Sequence, residues 1–261
     1  MASTSSDVTS SGTEVRYLFG GKVAWDESLW TATDDRVRGG SSSSHLTVER
    51  SSSCCPEFAR FSGHLDTSTL GGAGFASQRT KGELDLDLSE AVGLCISVCK
   101  SDGKRYLLTL KDEIPGQRDD GREMSGITWE ADFTADESTE TSQAKEVFLP
   151  WNAFKATYRG RSKDDAKPLN LKSIKRVSFM MRSFFDEQKG DFSIDIASVA
   201  AIPSTGSTHS TVGPETVVGE EEEVDLTREK ADAVTRQQQR QQQPQPQPPT
   251  SWWRRMLCGL M

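Results

Sequence analysis

The chain has 261 residues, 34% of them hydrophobic, with 31 Lys and Arg against 39 Asp and Glu and a formal net charge of −8. That length suits one or two domains, and the acidic balance argues against non-specific nucleic-acid binding, which needs a basic surface. Three His are too few for a His-rich metal site, and no stretch approaches the roughly 18 apolar residues of a membrane-spanning helix.

Residues 1–13 are rich in Ser and Thr and are expected to be disordered. From 14 to 202 the chain reads as one folded body built of strands. The expected strands are Leu46–Glu49, Glu57–Leu65, Gly74–Thr80, Leu84–Leu88, Leu94–Cys99, Tyr106–Leu110, Ile127–Phe133, Glu146–Leu149, Arg176–Arg182 and Phe192–Ile196. In Leu84–Leu88 leucines alternate with Asp85 and Asp87, and in 191–196 Phe192, Ile194 and Ile196 alternate with Asp191 and Asp195. The period of two puts those four aspartates on the wet face of half-buried strands. Many short strands separated by Gly, Ser, Asp and Pro predict an all-β sandwich.

After Pro203 the composition shifts. Residues 203–251 form an acidic and then Gln/Pro-rich linker, with a Glu220–Glu223 run, expected to be disordered. Residues 252–261 form a cap of Trp, Arg and apolar residues ending Cys258-Gly259-Leu260-Met261. These four fit the prenylation pattern C-a-a-X, so Cys258 is a lipidation candidate that would give membrane contact on a cytosolic face. The other cysteines show no secreted disulfide framework: Cys54 and Cys55 are adjacent, and Cys95 and Cys99 share one strand face roughly 13 Å apart. No signal peptide, transit peptide or N-glycosylation acceptor is visible. A reduced, intracellular setting is expected.

Several motifs, in order, resemble one known family. Trp30-Thr31-Ala32-Thr33-Asp34-Asp35-Arg36-Val37-Arg38-Gly39-Gly40-Ser41 resembles the W…nDgvmGGvS signature of the complex I intermediate-associated protein 30 family. Phe61–Leu65, Gly71–Thr80, Asp102–Tyr106, Val147–Phe154 and Tyr158–Arg161 resemble its later elements. The likeness runs from about Trp25 to Ile202. It implies a galactose-binding-like jelly-roll sandwich, a non-enzymatic, chaperone-like role in assembling mitochondrial complex I, and complex I subunits or assembly intermediates as partners. Arg38 departs from the family's Met.

The chemistry-bearing residues fit binding better than catalysis. Arg38-Gly39-Gly40 and the serines after it suit either an anion-holding nest or a tight Gly turn whose arginines are satisfied by Asp34 and Asp35. Arg159-Gly160-Arg161 is a second basic loop. Asp35, Arg36, Arg38, Gly39, Gly40, Arg159 and Arg161 are therefore the candidate partner- or ligand-binding residues. The second reading of that surface is a membrane-tethered module for a carbohydrate or anionic ligand. Gly71–Gly74 leads into a strand with no Lys-Ser/Thr after it, so its glycines are read as bulged or left-handed backbone rather than a nucleotide loop. His64 is read as a structural histidine, and Trp129, Trp151 and Phe154 as core or rim packing. No nucleophile elbow, metal motif or cofactor motif occurs, so no cofactor, metal or catalytic residue is expected.

Overall fold

Alternation of apolar and polar side chains sets the architecture, because a period of two buries one face of every strand. The computed structural model describes residues 14–50, 55–117, 119, 123–137 and 144–204. The expectations for 1–13, the linker, the cap and Cys258 lie outside the described residues. The strands are β1 (Arg16–Gly20), β2 (Trp30–Ala32), β3 (Ser43–Glu49), β4 (Phe58–Leu65), β5 (Phe75–Thr80), β6 (Ala91–Ser101) and β7 (Arg105–Lys111). Then follow β8 (Ile127–Thr134), β9 (Lys145–Pro150), β10 (Lys155–Tyr158), β11 (Arg161–Ser162), β12 (Arg176–Arg182) and β13 (Gly190–Pro203).

They form two antiparallel sheets. One runs β3-β4-β13-β6-β9, with β1 also paired to β13; the other runs β11-β10-β8-β7-β12-β5-β2. The chain is thus an all-β, jelly-roll-type sandwich. β13 organises the first sheet. Gly190–Ile196 pair with β4 and Ser198–Ala201 pair with β1 on one edge, while β6 runs along the other.

The core lies between the sheets. Phe61, Leu94, Ile96, Ile194 and Ile196 face Tyr106, Leu108, Leu110, Val177, Phe179 and Met181, all buried. Phe61 meets Tyr106 at 6.1 Å and Phe179 at 6.2 Å between ring centroids, and Trp30 stacks on Phe179 at 5.4 Å. Each such side chain contributes about 1.5–3 kcal/mol on burial. Trp151 donates to the Ala91 carbonyl and packs on Phe154, so the packing reading of these aromatics holds. Gly71 and Gly72 take positive φ values of 62° and 92°, as read for their loop.

Two expectations need correction. Leu84–Leu88 is not a named strand. It alternates as expected, with Asp85 and Asp87 exposed, but forms only the isolated bridge Leu86↔Ile174, because it runs beside a loop at the sheet margin. Asp195 is not on a wet face; it is 4% exposed. Arg60 donates to both its oxygens, at 2.7 and 2.9 Å, and covers it. Asp191 is exposed as expected, within 2.6 Å of the exposed His64. The short strands β1, β2, β10 and β11 were not legible in advance.

Candidate functional site

The Asp34-Asp35 pair opens the 3-10 turn Asp35–Arg38 and is buried. Asp34 accepts from the Ser44 amide and hydroxyl in β3, at 3.2 and 2.6 Å, and from the Ser77 amide in β5 at 3.0 Å. Asp35 accepts from the Ser42 amide and hydroxyl, at 3.0 and 2.6 Å, and from the Phe75 amide at 3.1 Å. Since β3 belongs to one sheet and β5 to the other, the two carboxylates staple the sheets together along one side. The glycines serve the same device. Gly39 closes the turn at φ 84°, a left-handed conformation natural to glycine. A Cβ on Gly40 would lie 2.3 Å from an Asp35 oxygen, so only glycine leaves room for that carboxylate.

The turn therefore presents Val37 and Arg38 at a fixed place. They line an open cleft of about 790 Å³ together with Glu123, Ser125, Tyr158, Arg159 and Arg161. One wall is the turn after β2. The other is the β10–β11 hairpin and the segment before β8. β2 and β11 are the opposite edges of the seven-stranded sheet, so the cleft lies across that sheet. The face concerned is the one turned away from the core. Alternation with buried Leu108, Val177 and Phe179 places Arg79, Thr109, Glu130, Arg176, Ser178 and Arg182 there. Arg38 stands over the Phe75 ring of that face at 5.4 Å, and Glu123 reaches down to its Lys111 and Arg176.

The charges on this face are unequal. Glu123 serves two cations, Lys111 at 2.8 Å and Arg176 at 2.6 Å. Arg182 bonds Glu130, which also accepts from Thr157. Arg79 donates to the Thr33 hydroxyl at 3.0 Å and to the Thr80 carbonyl. Burial and the neighbouring Arg176 guanidinium push Arg79 below the usual arginine range, with Glu123 offsetting part of this. For Glu123, burial pushes the carboxyl up, but Lys111 and Arg176 outweigh it and hold it below the ordinary range. A depressed carboxyl stabilises the fold above its unfolded pKa, about 4.3 for Glu, and loses that contribution as pH falls through the folded value. Glu123→Gln is therefore expected to lower the urea midpoint at pH 7, with the gap to wild type closing below about pH 4. A gap that stays constant with pH would contradict this.

The candidate residues thus divide. The structure brings Arg38, Arg159 and Arg161 to one cleft, each of them exposed. Arg36 is exposed beside them but bonds Asp34 at 3.0 Å. Gly39 and Gly40 shape the turn. Asp35 is a correction: it is fully buried and its oxygens are committed to Ser42 and Phe75, so it belongs to the frame and not to the surface. The tight-turn reading held for the glycines, but Asp35 satisfies no arginine. Sequence reasoning missed Arg79, Glu123, Ser125, Tyr158 and Arg176. A signal existed for two of them, since Arg79 and Arg176 each occupy the non-core parity of an apolar strand. Among the described residues no helix is long and apolar enough to cross a membrane.

Residues 17–196 match the family model of complex I intermediate-associated protein 30. A Schizosaccharomyces pombe protein is 42% identical over 187 residues, covering 71% of this chain and 83% of its own length. Among solved structures, the family 11 carbohydrate-binding module of the cellulosomal cellulase Lic26A-Cel5E of Clostridium thermocellum superposes with a TM-score of 0.50. It is 17% identical and the match covers 74% of this chain and 97% of that one, a likeness of fold.

Proposed function

This chain belongs to the complex I intermediate-associated protein 30 family, and from that premise we propose that it is a non-enzymatic, chaperone-like assembly factor. Its partners are unassembled subunits or intermediates of mitochondrial complex I, and the cleft over the seven-stranded sheet is where it takes them. One observation carries the reading. Arg36, Arg50, Arg60, Arg105, Arg176 and Arg182 each pair with a carboxylate, and Arg16 donates to the Asp87 carbonyl. Among the described residues, Arg38, Arg159 and Arg161, which line the cleft, and Arg79, on the sheet face below it, make no ion pair. In a chain of net charge −8, unpaired arginines gathered on one cleft offer charge-assisted bonds to an acidic partner.

A second reading is a tethered module for a carbohydrate or anionic ligand, with Cys258 as the lipid attachment. What favours it is the likeness of fold to a carbohydrate-binding module. Deleting the gene separates the two. Complex I resolved on native gels is expected to fall, with partly assembled intermediates accumulating. Normal complex I in the deletion, with saturable binding of a neutral glycan to the purified protein, would replace the first reading by the second.

A further inference from the structure

We propose that the group held in this cleft is a phosphoryl group, with Arg79 as its ligand from the sheet and Arg159 and Arg161 closing on it from the hairpin. The inference rests on the cleft being the binding surface, not on the partner being a complex I component.

Arg79 is tied to both walls, though it is not itself among the residues that line the cleft. Its Nε bonds Thr33, the residue just before the Asp34–Arg38 segment that makes one wall. Its charge is felt by Arg176, which is tied to Glu123 of the other wall. Arg79 is half-buried on the strand face below the cleft and makes no ion pair among the described residues, Glu123 offsetting its charge only in part. Desolvating a guanidinium next to a second one is unfavourable unless an anion compensates.

The charge count points to a dianion. Lys111 and Arg176 already share the one carboxylate, Glu123. Among the described residues Arg79, Arg159 and Arg161 make no ion pair, and Arg38 adds to them from the facing wall. A carboxylate would cancel one of these charges; a phosphate monoester cancels up to two and offers three acceptor oxygens to forked guanidinium donors. Buried Arg176 also keeps an Nε with no acceptor among the described residues. The cleft, at about 790 Å³, is far larger than a phosphoryl group alone and leaves room for whatever carries it.

The test titrates the purified full-length protein, by calorimetry at constant ionic strength, with inorganic phosphate and with a phosphoserine peptide. The same peptide carrying serine or glutamate is the control. Saturable binding of both phosphorylated probes is expected, with the serine peptide silent. Arg79→Gln is expected to weaken binding at least tenfold, about 1.4 kcal/mol, and Arg16→Gln, on a distant strand, to leave it unchanged. Should Arg79→Gln fail to fold, exposed Arg161→Gln serves in its place with the same expected loss. Tighter binding of the peptide than of phosphate identifies a partner's phosphorylated side chain as the source; equal binding identifies a free phosphate or small ester. No saturable binding of either phosphorylated probe, or equal binding of the glutamate peptide, overturns the proposal. Phosphate binding alongside normal complex I in the deletion would leave this inference standing and remove the assembly role. Loss of complex I without phosphate binding would do the reverse.

Discussion

Asp35→Ala is expected to destabilise the protein by about 3–5 kcal/mol, read as a lowered urea midpoint of tryptophan fluorescence. The carboxylate accepts three hydrogen bonds in a fully buried site. Its loss strands the buried Ser42 amide and leaves the half-buried Phe75 amide without its acceptor. Bonds to a charged group contribute about 1.5–3 kcal/mol apiece, and they are not additive here because they share one acceptor group. The loss is large beside the total stability of a domain, about 5–15 kcal/mol. Asp35→Asn is expected to be intermediate, since one of its two side-chain heads becomes a donor facing donors. Asp85→Ala, at an exposed carboxylate, is the control and is expected to stay within about 0.5 kcal/mol of wild type. A small effect at Asp35 would mean that the two sheets do not depend on this staple.

The second large effect concerns binding and leaves the fold alone. Reversing Arg38, Arg159 and Arg161 together to Glu is expected to reduce capture of complex I intermediates by about a hundredfold or more. All three are exposed and make no ion pair among the described residues, so the unfolding midpoint is expected to be unchanged. Two further readouts separate this from a general loss of solubility. Wild-type binding should weaken as salt is raised from 0.05 to about 0.5 M, because exposed charges are screened within a Debye length. The variant's residual binding should be insensitive to salt. Unchanged capture by a folded variant would move the partner surface off the cleft.

Most of the sandwich was legible in the sequence. The strands that bury a continuous apolar face, such as Tyr106–Leu110 and Arg176–Arg182, declare themselves by period. The strands that escaped are short, β2, β10 and β11 having three, four and two residues, or, like β1, hold their place by pairing with a strand distant in the sequence. Parity also failed at Asp195. Alternation says which face a side chain takes, but not that Arg60, from a strand 135 positions away, will cover it. The site shows the same limit. Its loops carry recognisable residues, yet the Asp34-Asp35 pair looks like surface charge until Ser44 and Ser77 are brought to it from two different sheets. What the glycines were for could be guessed; which carboxylate they made room for could not.

The pairing of β13 has a consequence for synthesis. β1, β4 and β6 all find their neighbour in the last strand of the body. While the ribosome is still adding residues before Gly190, the first sheet is split, and the apolar faces of β4 and β6 have no common seam. Pairings this distant in sequence are slow to form and leave strand edges open in the meantime. Synthesis of residues 204–261 then gives the body a few further seconds on the ribosome, at about 5–20 residues per second. A nascent chain stalled at residue 189 should accordingly be cut readily by protease. One stalled after residue 261 should resist cleavage across 14–204.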